Sequence, residues 1–320
     1  MRFESYKLTK IIEQNYSHLM PDFFEMQTEY LASLNIIYHD LDASLVAMVL
    51  TSQLYKNIVK NNKSNKELSM KYFYQKENFK LPTKAFKIKE ISSILNLPRE
   101  TVRRKKEKLI KDKLIIVDKK NKLYSLNTDM IEQKVIDLQI SNLSKFLSKF
   151  SFYFSRNKFF HREISKEQIK NDVEEKFLLY LTKFLDFQIS YFAKMKTLTD
   201  IESIFIILLC ALNTTAQLKI KEEPMNYKDL FGKINMIKDT SGLNAASISE
   251  ITQVPRTTVL RKIDNLVKIG ILKKDKFKRY TSDDLNKIYD SKKLLLIMEY
   301  NNKLLGNFFS ECLETYATKH

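Results

Sequence analysis

The chain has 320 residues, 44% of them hydrophobic and 12% aromatic, which suits about two folded domains and excludes a disordered protein. Its formal net charge of +17 favours a polyanionic partner, although abundant lysine, asparagine and isoleucine point to a compositional bias that inflates lysine everywhere. Met1–Lys10 lacks an apolar core of signal-peptide type, and the most apolar run, Ile204–Leu212, is far shorter than the roughly 20 residues that span a bilayer; both predict a cytoplasmic protein with no membrane partner.

Taken in order, Phe23, Met26, Tyr30, Leu34 and Ile37 recur at helical spacing and predict a helix over Asp22–Tyr38. A second helix, opened by Asp40 or Asp42, continues through Leu45–Ile58; the acids suit a helix N-terminus better than they suit catalysis. Lys60–Glu67 reads as a loop, and Pro82 breaks any helix through Met70–Phe86. Ile91, Ile94 and Leu97 then mark a short helix. Pro98 suits the first turn of the next, whose inner face carries Val102 and Leu109. Leu114–Val117 and Leu123–Leu126 read as a hairpin around a lysine-rich tip. Asp129–Phe154 reads as one long helix, followed by a weakly periodic junction over Ser155–Asp172. The aromatic group Phe150, Phe152, Tyr153, Phe154, Phe159 and Phe160 fits core packing better than a ligand pocket.

The second half repeats this order. Phe177, Leu181, Phe184, Tyr191 and Phe192 mark a helix, and Thr199–Glu202 has the pattern of a capping box before a helix over Ile201–Leu218. Lys219–Gly242 reads as loop, and Ser247 with Glu250 as another capping box. Ile248, Ile251 and Val254 give the short helix, and Val259, Ile263 and Leu266 the inner face of its successor. Ile271–Leu272 and Arg279–Thr281 flank a second basic tip, and a terminal helix spans about Asp283–Thr318.

The two halves share the pattern Pro-Arg-x-Thr-Val-x-Arg-Lys, at Pro98–Lys105 and again 157 positions later at Pro255–Lys262. The match runs without a gap from Ile91–Ile115 onto Ile248–Leu272, which is evidence of duplication. The expected fold is therefore mainly α with small β wings. Its two copies, 1–160 and 161–320, would each have two N-terminal helices, a winged helix-turn-helix (about 86–127 and 243–282) and a long C-terminal helix, paired as a pseudo-dimer. The second helix of such a unit enters the DNA major groove. Its outward positions are Arg99, Glu100, Thr101, Arg103 and Arg104 in one copy, and Arg256, Thr257, Thr258, Leu260 and Arg261 in the other. Arginine can bond guanine O6 and N7 together, glutamate accepts from cytosine N4, and leucine can touch a thymine methyl. Lys119, Lys120 and Lys122, and Lys276, Lys278 and Arg279, would hold phosphates. In a chain that prefers lysine, most of the few arginines fall in the repeated stretches, where a planar fork has a use that lysine cannot fill.

Helices on both sides of a winged helix, carried here by Ile248–Leu272 and Ile91–Ile115, resemble regulators of the MarR family, which are homodimers addressing two half-sites. The wings depart from that family in reading Asp118-Lys119-Lys120-Asn121-Lys122 and Lys276-Phe277-Lys278-Arg279 in place of an Asp-x-Arg type motif. The resemblance implies a transcriptional regulator of double-stranded DNA; a small-molecule effector and further homodimerisation stay open. A plasmid-type replication initiator and a winged-helix protein scaffold are the alternatives. No metal-ligand spacing, phosphate-cradling glycine loop or nucleophile motif is present, so neither cofactor nor enzymatic activity is expected. Cys210 and Cys312 stand in apolar helical patterns and read as buried free thiols.

Overall fold

A computed structural model of the chain describes residues 4–61, 68–73, 83–84, 87–118, 120, 123–127, 133–156, 163–217, 223–233, 242–283 and 291–317. Among the described residues it is mainly α, with two small antiparallel sheets. The first half opens with α1 (Ser5–Gln14), α2 (Tyr16–Tyr38) and α3 (Leu41–Asn61). After α4 (Met70–Phe73) and β1 (Thr83–Lys84) come α5 (Ile88–Leu95), α6 (Arg99–Lys111), β2 (Ile115–Asp118), β3 (Leu123–Leu126) and α7 (Gln133–Arg156). The second half gives α8 (Lys166–Glu175), α9 (Phe177–Met195), α10 (Ile201–Gln217), α11 (Tyr227–Lys233) and β4 (Leu243–Asn244). It ends with α12 (Ala245–Thr252), α13 (Arg256–Lys268), β5 (Leu272–Lys274), β6 (Arg279–Ser282) and α14 (Ser291–Ala317).

Several sequence expectations need correction. Each half has four helices before its sheet, not two: α1 and α8 are separated from α2 and α9 by one non-helical residue, Asn15 or Lys176, and the short α4 and α11 precede β1 and β4. Helix α8 begins inside the stretch read as a weakly periodic junction, Ser155–Asp172, and runs to Glu175; its apolar positions are few, but Ser165 and Gln168 cap it reciprocally. Helix α11 lies in the segment read as loop. Each sheet has a third strand, too short to show periodicity: β1 and β4 pair with β3 and β6, giving the orders β1-β3-β2 and β4-β6-β5. The cap of α10 is Asp200, whose Oδ1 accepts from the Ser203 backbone, not Thr199. That of α12 is Asn244, accepting from the Ala246 and Ser247 backbone, so Ser247 is already inside the helix. Helix α7 is described from Gln133 to Arg156; the expected start at Asp129 lies outside the described residues. Helix α14 is described from Ser291 to Ala317, with 284–290 likewise outside the described residues.

The halves cross over one another. Helix α1 packs on α14, α2 on α10 and α12, and α9 on α3 and α5. Asn35 at the end of α2 donates to the Thr252 carbonyl of α12 at 3.0 Å, and Lys196 pairs with Asp42 at 2.6 Å. The buried apolar side chains form one contiguous core. Phe150 and Phe154 belong to it, and Phe150 stacks on Phe309 with centroids 4.0 Å apart, so their packing role holds. Phe152 and Tyr153 are half-buried, and Phe159 and Phe160 lie outside the described residues. Cys210 and Cys312 are buried and unpaired, and burial pushes the Cys210 thiol up to about 12. No single described helix is long and apolar enough to cross a membrane; α2 and α3 together have the composition but bend by 96° at their junction.

Helices α6 and α13 end alike. In α6 the Leu114 amide donates to Leu109 and the Lys113 amide to Ile110; in α13 Ile271 donates to Leu266 and Gly270 to Val267. That is the Schellman pattern, which needs a left-handed residue after the helix. Gly270 takes φ 79 freely, whereas Lys113 is forced to φ 57. Left-handed backbone costs an L side chain about 1–2 kcal/mol, of which the extra chain entropy of glycine returns roughly 0.5–1. Lys113→Gly is therefore expected to raise, and Gly270→Ala to lower, unfolding free energy by about 0.5–1 kcal/mol. Urea midpoints at unchanged slope check this; equal signs for both would refute it.

Candidate nucleic-acid interface

The shared motif has the same local construction in both halves. Asn96 and Gln253 take positive φ at the ends of α5 and α12, and the turns beyond them are closed by Ser92 Oγ to the Leu97 carbonyl (2.6 Å) and Ser249 Oγ to the Val254 carbonyl (2.7 Å). Pro98 and Pro255 sit one residue earlier than expected, as N-caps. Their carbonyls accept the first helical bonds, from Val102 and Val259.

The two cations that close the motif then part ways. Lys105 turns inward and bonds Asp40 at 2.6 and 2.8 Å; Lys262 bonds Asp200 at 2.6 Å and Glu202 at 2.9 Å. Asp40 also caps α3 through the Ala43 amide, as Asp200 caps α10. One carboxylate thus starts a core helix and holds the helix outside it. Burial pushes the Asp200 carboxyl upward, but hydrogen bonds from Lys262 and Ser203 and the Lys262 charge outweigh it, leaving its pKa below the ordinary aspartate value. Burial likewise disfavours charged Lys262, yet Asp200 and Glu202 raise its pKa. The pair's contribution is full between the unfolded pKa values, about 3.9 and 10.4. It is lost as pH falls through the depressed Asp200 value or rises through the raised Lys262 value.

The neighbouring arginines face outward. Arg99, Arg104, Arg256 and Arg261 are exposed and have no hydrogen-bond or ion-pair partner among the described residues. Arg99, Glu100, Arg103, Arg104 and Glu107 share the exposed side of α6; Arg256, Thr257, Leu260, Arg261 and Asp264 share that of α13. Thr101 and Thr258 are half-buried at the edge. Leu260 is 38% exposed, without a covering element. Within α6 the i,i+3 and i,i+4 spacing brings charges together. Arg103 bonds both oxygens of Glu100 at 2.6 and 2.9 Å and Glu107 at 2.6 Å. These bonds hold the Glu100 carboxyl below its ordinary range. Glu100 and Arg103, read from sequence as separate contacts, are one clamped unit here. Lys106, where the other half has the buried Ile263, lies 4.1 Å above the Tyr124 ring of β3, which accommodates the charge there.

In the hairpins, Lys120, Lys276 and Lys278 are exposed and Arg279 half-buried, while Lys119 and Lys122 lie outside the described residues. Sequence reading missed Phe277 at the second tip, 53% exposed.

Two apolar cavities lie between the halves, of about 90 and 130 Å³. Tyr16, Met20 and Phe23 from the first half meet Tyr191, Ala211 and Met298 from the second in one. The other is lined by Phe177, Leu181 and Phe184 from the second half and Tyr30, Thr51 and Ile140 from the first. These are matching positions of matching helices. Among the described residues no group of three or more His, Cys, Asp or Glu side chains could hold a metal ion. Comparison with protein-family models, with curated proteins and with solved structures found no match to this chain.

Proposed function

We propose that the chain is a sequence-specific, double-stranded DNA-binding transcriptional regulator. In this reading it arose by tandem duplication and folds as a pseudo-dimer of two winged helix-turn-helix units. The observation that carries it is the shared split of one motif: in each copy the lysine turns inward to a capping aspartate while arginines five positions apart stay exposed. A merely solvated basic face gives no reason for both copies to expose arginine and turn the lysine inward.

Three further observations support the duplication. The order of helices and strands is the same in both halves; the two cavities are lined by matching positions; and Gln27 and Gln188, fully buried with no side-chain partner among the described residues, occupy equivalent places in α2 and α9. Exchange of α2 and α9 between halves, each packing on the other half's α12 or α5, suits a fused dimer. The layout resembles that of MarR regulators. The outward faces of the readers differ at Glu100/Thr257 and Arg103/Leu260, so the two half-sites should differ also. Selection from random duplexes is expected to return an asymmetric site with halves about one helical turn apart. An exact inverted repeat would refute the two-reader assignment, and no recovered preference would refute sequence reading altogether.

A further inference from the structure

The second hairpin presents its aromatic residue rigidly. Asp275 Oδ1 accepts from the Phe277 and Arg279 amides, each at 2.8 Å, its own amide donates to the Arg279 carbonyl at 3.0 Å, and its carbonyl accepts from Lys278 at 3.2 Å. Lys278 takes φ 58, completing a tight turn that leaves the ring at the tip. The turn is rooted by Tyr280, buried in β6. Cations flank the ring: Lys276 Nζ is 5.1 Å and Arg279 Cζ 5.8 Å from its centroid. The ring is exposed, and its cationic collar suits a polyanion better than an apolar protein surface. The other tip, Asp118–Lys122, has no aromatic residue.

Strand β5, which follows α13, carries the chain about 10 Å at roughly 3.3 Å per residue before the turn that holds Phe277. We propose that Phe277 is a wedge that enters the minor groove and partly unstacks one base step, bending the duplex at the second half-site only. The ring displaces stacking contacts between bases, and Lys276, Lys278 and Arg279 move to the flanking phosphates. A readily unstacked pyrimidine–purine step is the fitting target, which adds selectivity at a position no hydrogen bond reads.

This inference rests on the DNA-binding reading, and the test separates the two. The full chain is titrated onto a duplex recovered by selection from random DNA, with 2-aminopurine placed at successive steps and dyes at the ends. The expected result is a several-fold fluorescence rise at one step beside the α13 half-site and a shortened end-to-end distance. Phe277→Ala should abolish both and weaken binding about ten-fold, whereas Phe277→Leu should keep both in part. Binding by the unaltered chain with no fluorescence rise at any step, or an alanine variant that bends and unstacks as before, overturns the wedge and leaves DNA reading intact. Failure of the unaltered chain to bind any duplex removes both.

Discussion

The double substitution Arg256→Ala/Arg261→Ala is expected to weaken binding to a selected duplex by about 30- to 10⁴-fold. Each bidentate arginine–guanine contact contributes about 1–3 kcal/mol of discrimination, and each 1.4 kcal/mol is a factor of ten. Neither side chain supports the core: both are exposed, while the packing of α13 rests on Val259, Ile263 and Leu266 and on the inward Lys262. The melting temperature should therefore stay constant as affinity falls. The loss should also be local. Base preference should relax at one half-site only, and Arg99→Ala/Arg104→Ala should relax it at the opposite one. Lys276→Ala and Lys278→Ala should behave differently, each lowering affinity on all sequences alike and reducing the slope of log affinity against log salt by about one. If the arginine variants weaken every sequence equally, the arginines hold phosphates and the base-reading assignment is wrong. If they weaken none, α13 is not the reader.

Much of the candidate interface was legible in the sequence because it depends on local rules. Helical spacing separated the inner residues Val102, Leu109, Val259 and Leu266 from the outward arginines, and the buried set matches that division. The hairpins β2–β3 and β5–β6 were placed within two residues at each end. Partners distant in sequence were not legible. Nothing near Lys105 reveals that Asp40 lies 2.6 Å from it, so the inward turn of the motif lysine could not be read. Short elements were missed for a related reason. Strands β1 and β4 are two residues each and exist through pairing with β3 and β6, while α1 gains its stability by burying Leu8, Ile11 and Ile12 in contact with α14, nearly 300 positions away. Phe277 was visible as a letter, but its exposure depends on the turn that Asp275 organises.

A second large effect is expected far from the interface. Lys176, between α8 and α9, is buried with Asp172: its ammonium lies 2.8 Å from Asp172 Oδ1 and donates to the Thr315 carbonyl of α14 at 2.6 Å. Tyr180 donates to the other Asp172 oxygen at 2.6 Å. The cluster ties the first helices of the second half to the last turns of the chain. Lys176→Met keeps the aliphatic volume but leaves a buried carboxylate with only the tyrosine hydroxyl, a loss of about 3–5 kcal/mol by analogy with broken buried pairs. Asp172→Leu should cost about as much, by stranding the ammonium. Their combination removes both charges together, and charge-for-apolar exchanges of that kind are often neutral or stabilising. The double variant is thus expected within roughly 1–2 kcal/mol of the unaltered chain, the remainder being the Tyr180 hydroxyl left with only the Cys312 carbonyl at 3.4 Å, and adding Tyr180→Phe should recover most of it. A denaturant cycle over the four variants measures the coupling. Additive losses would mean that water reaches the site and solvates each charge alone, in which case the pair does not pin α14 at all.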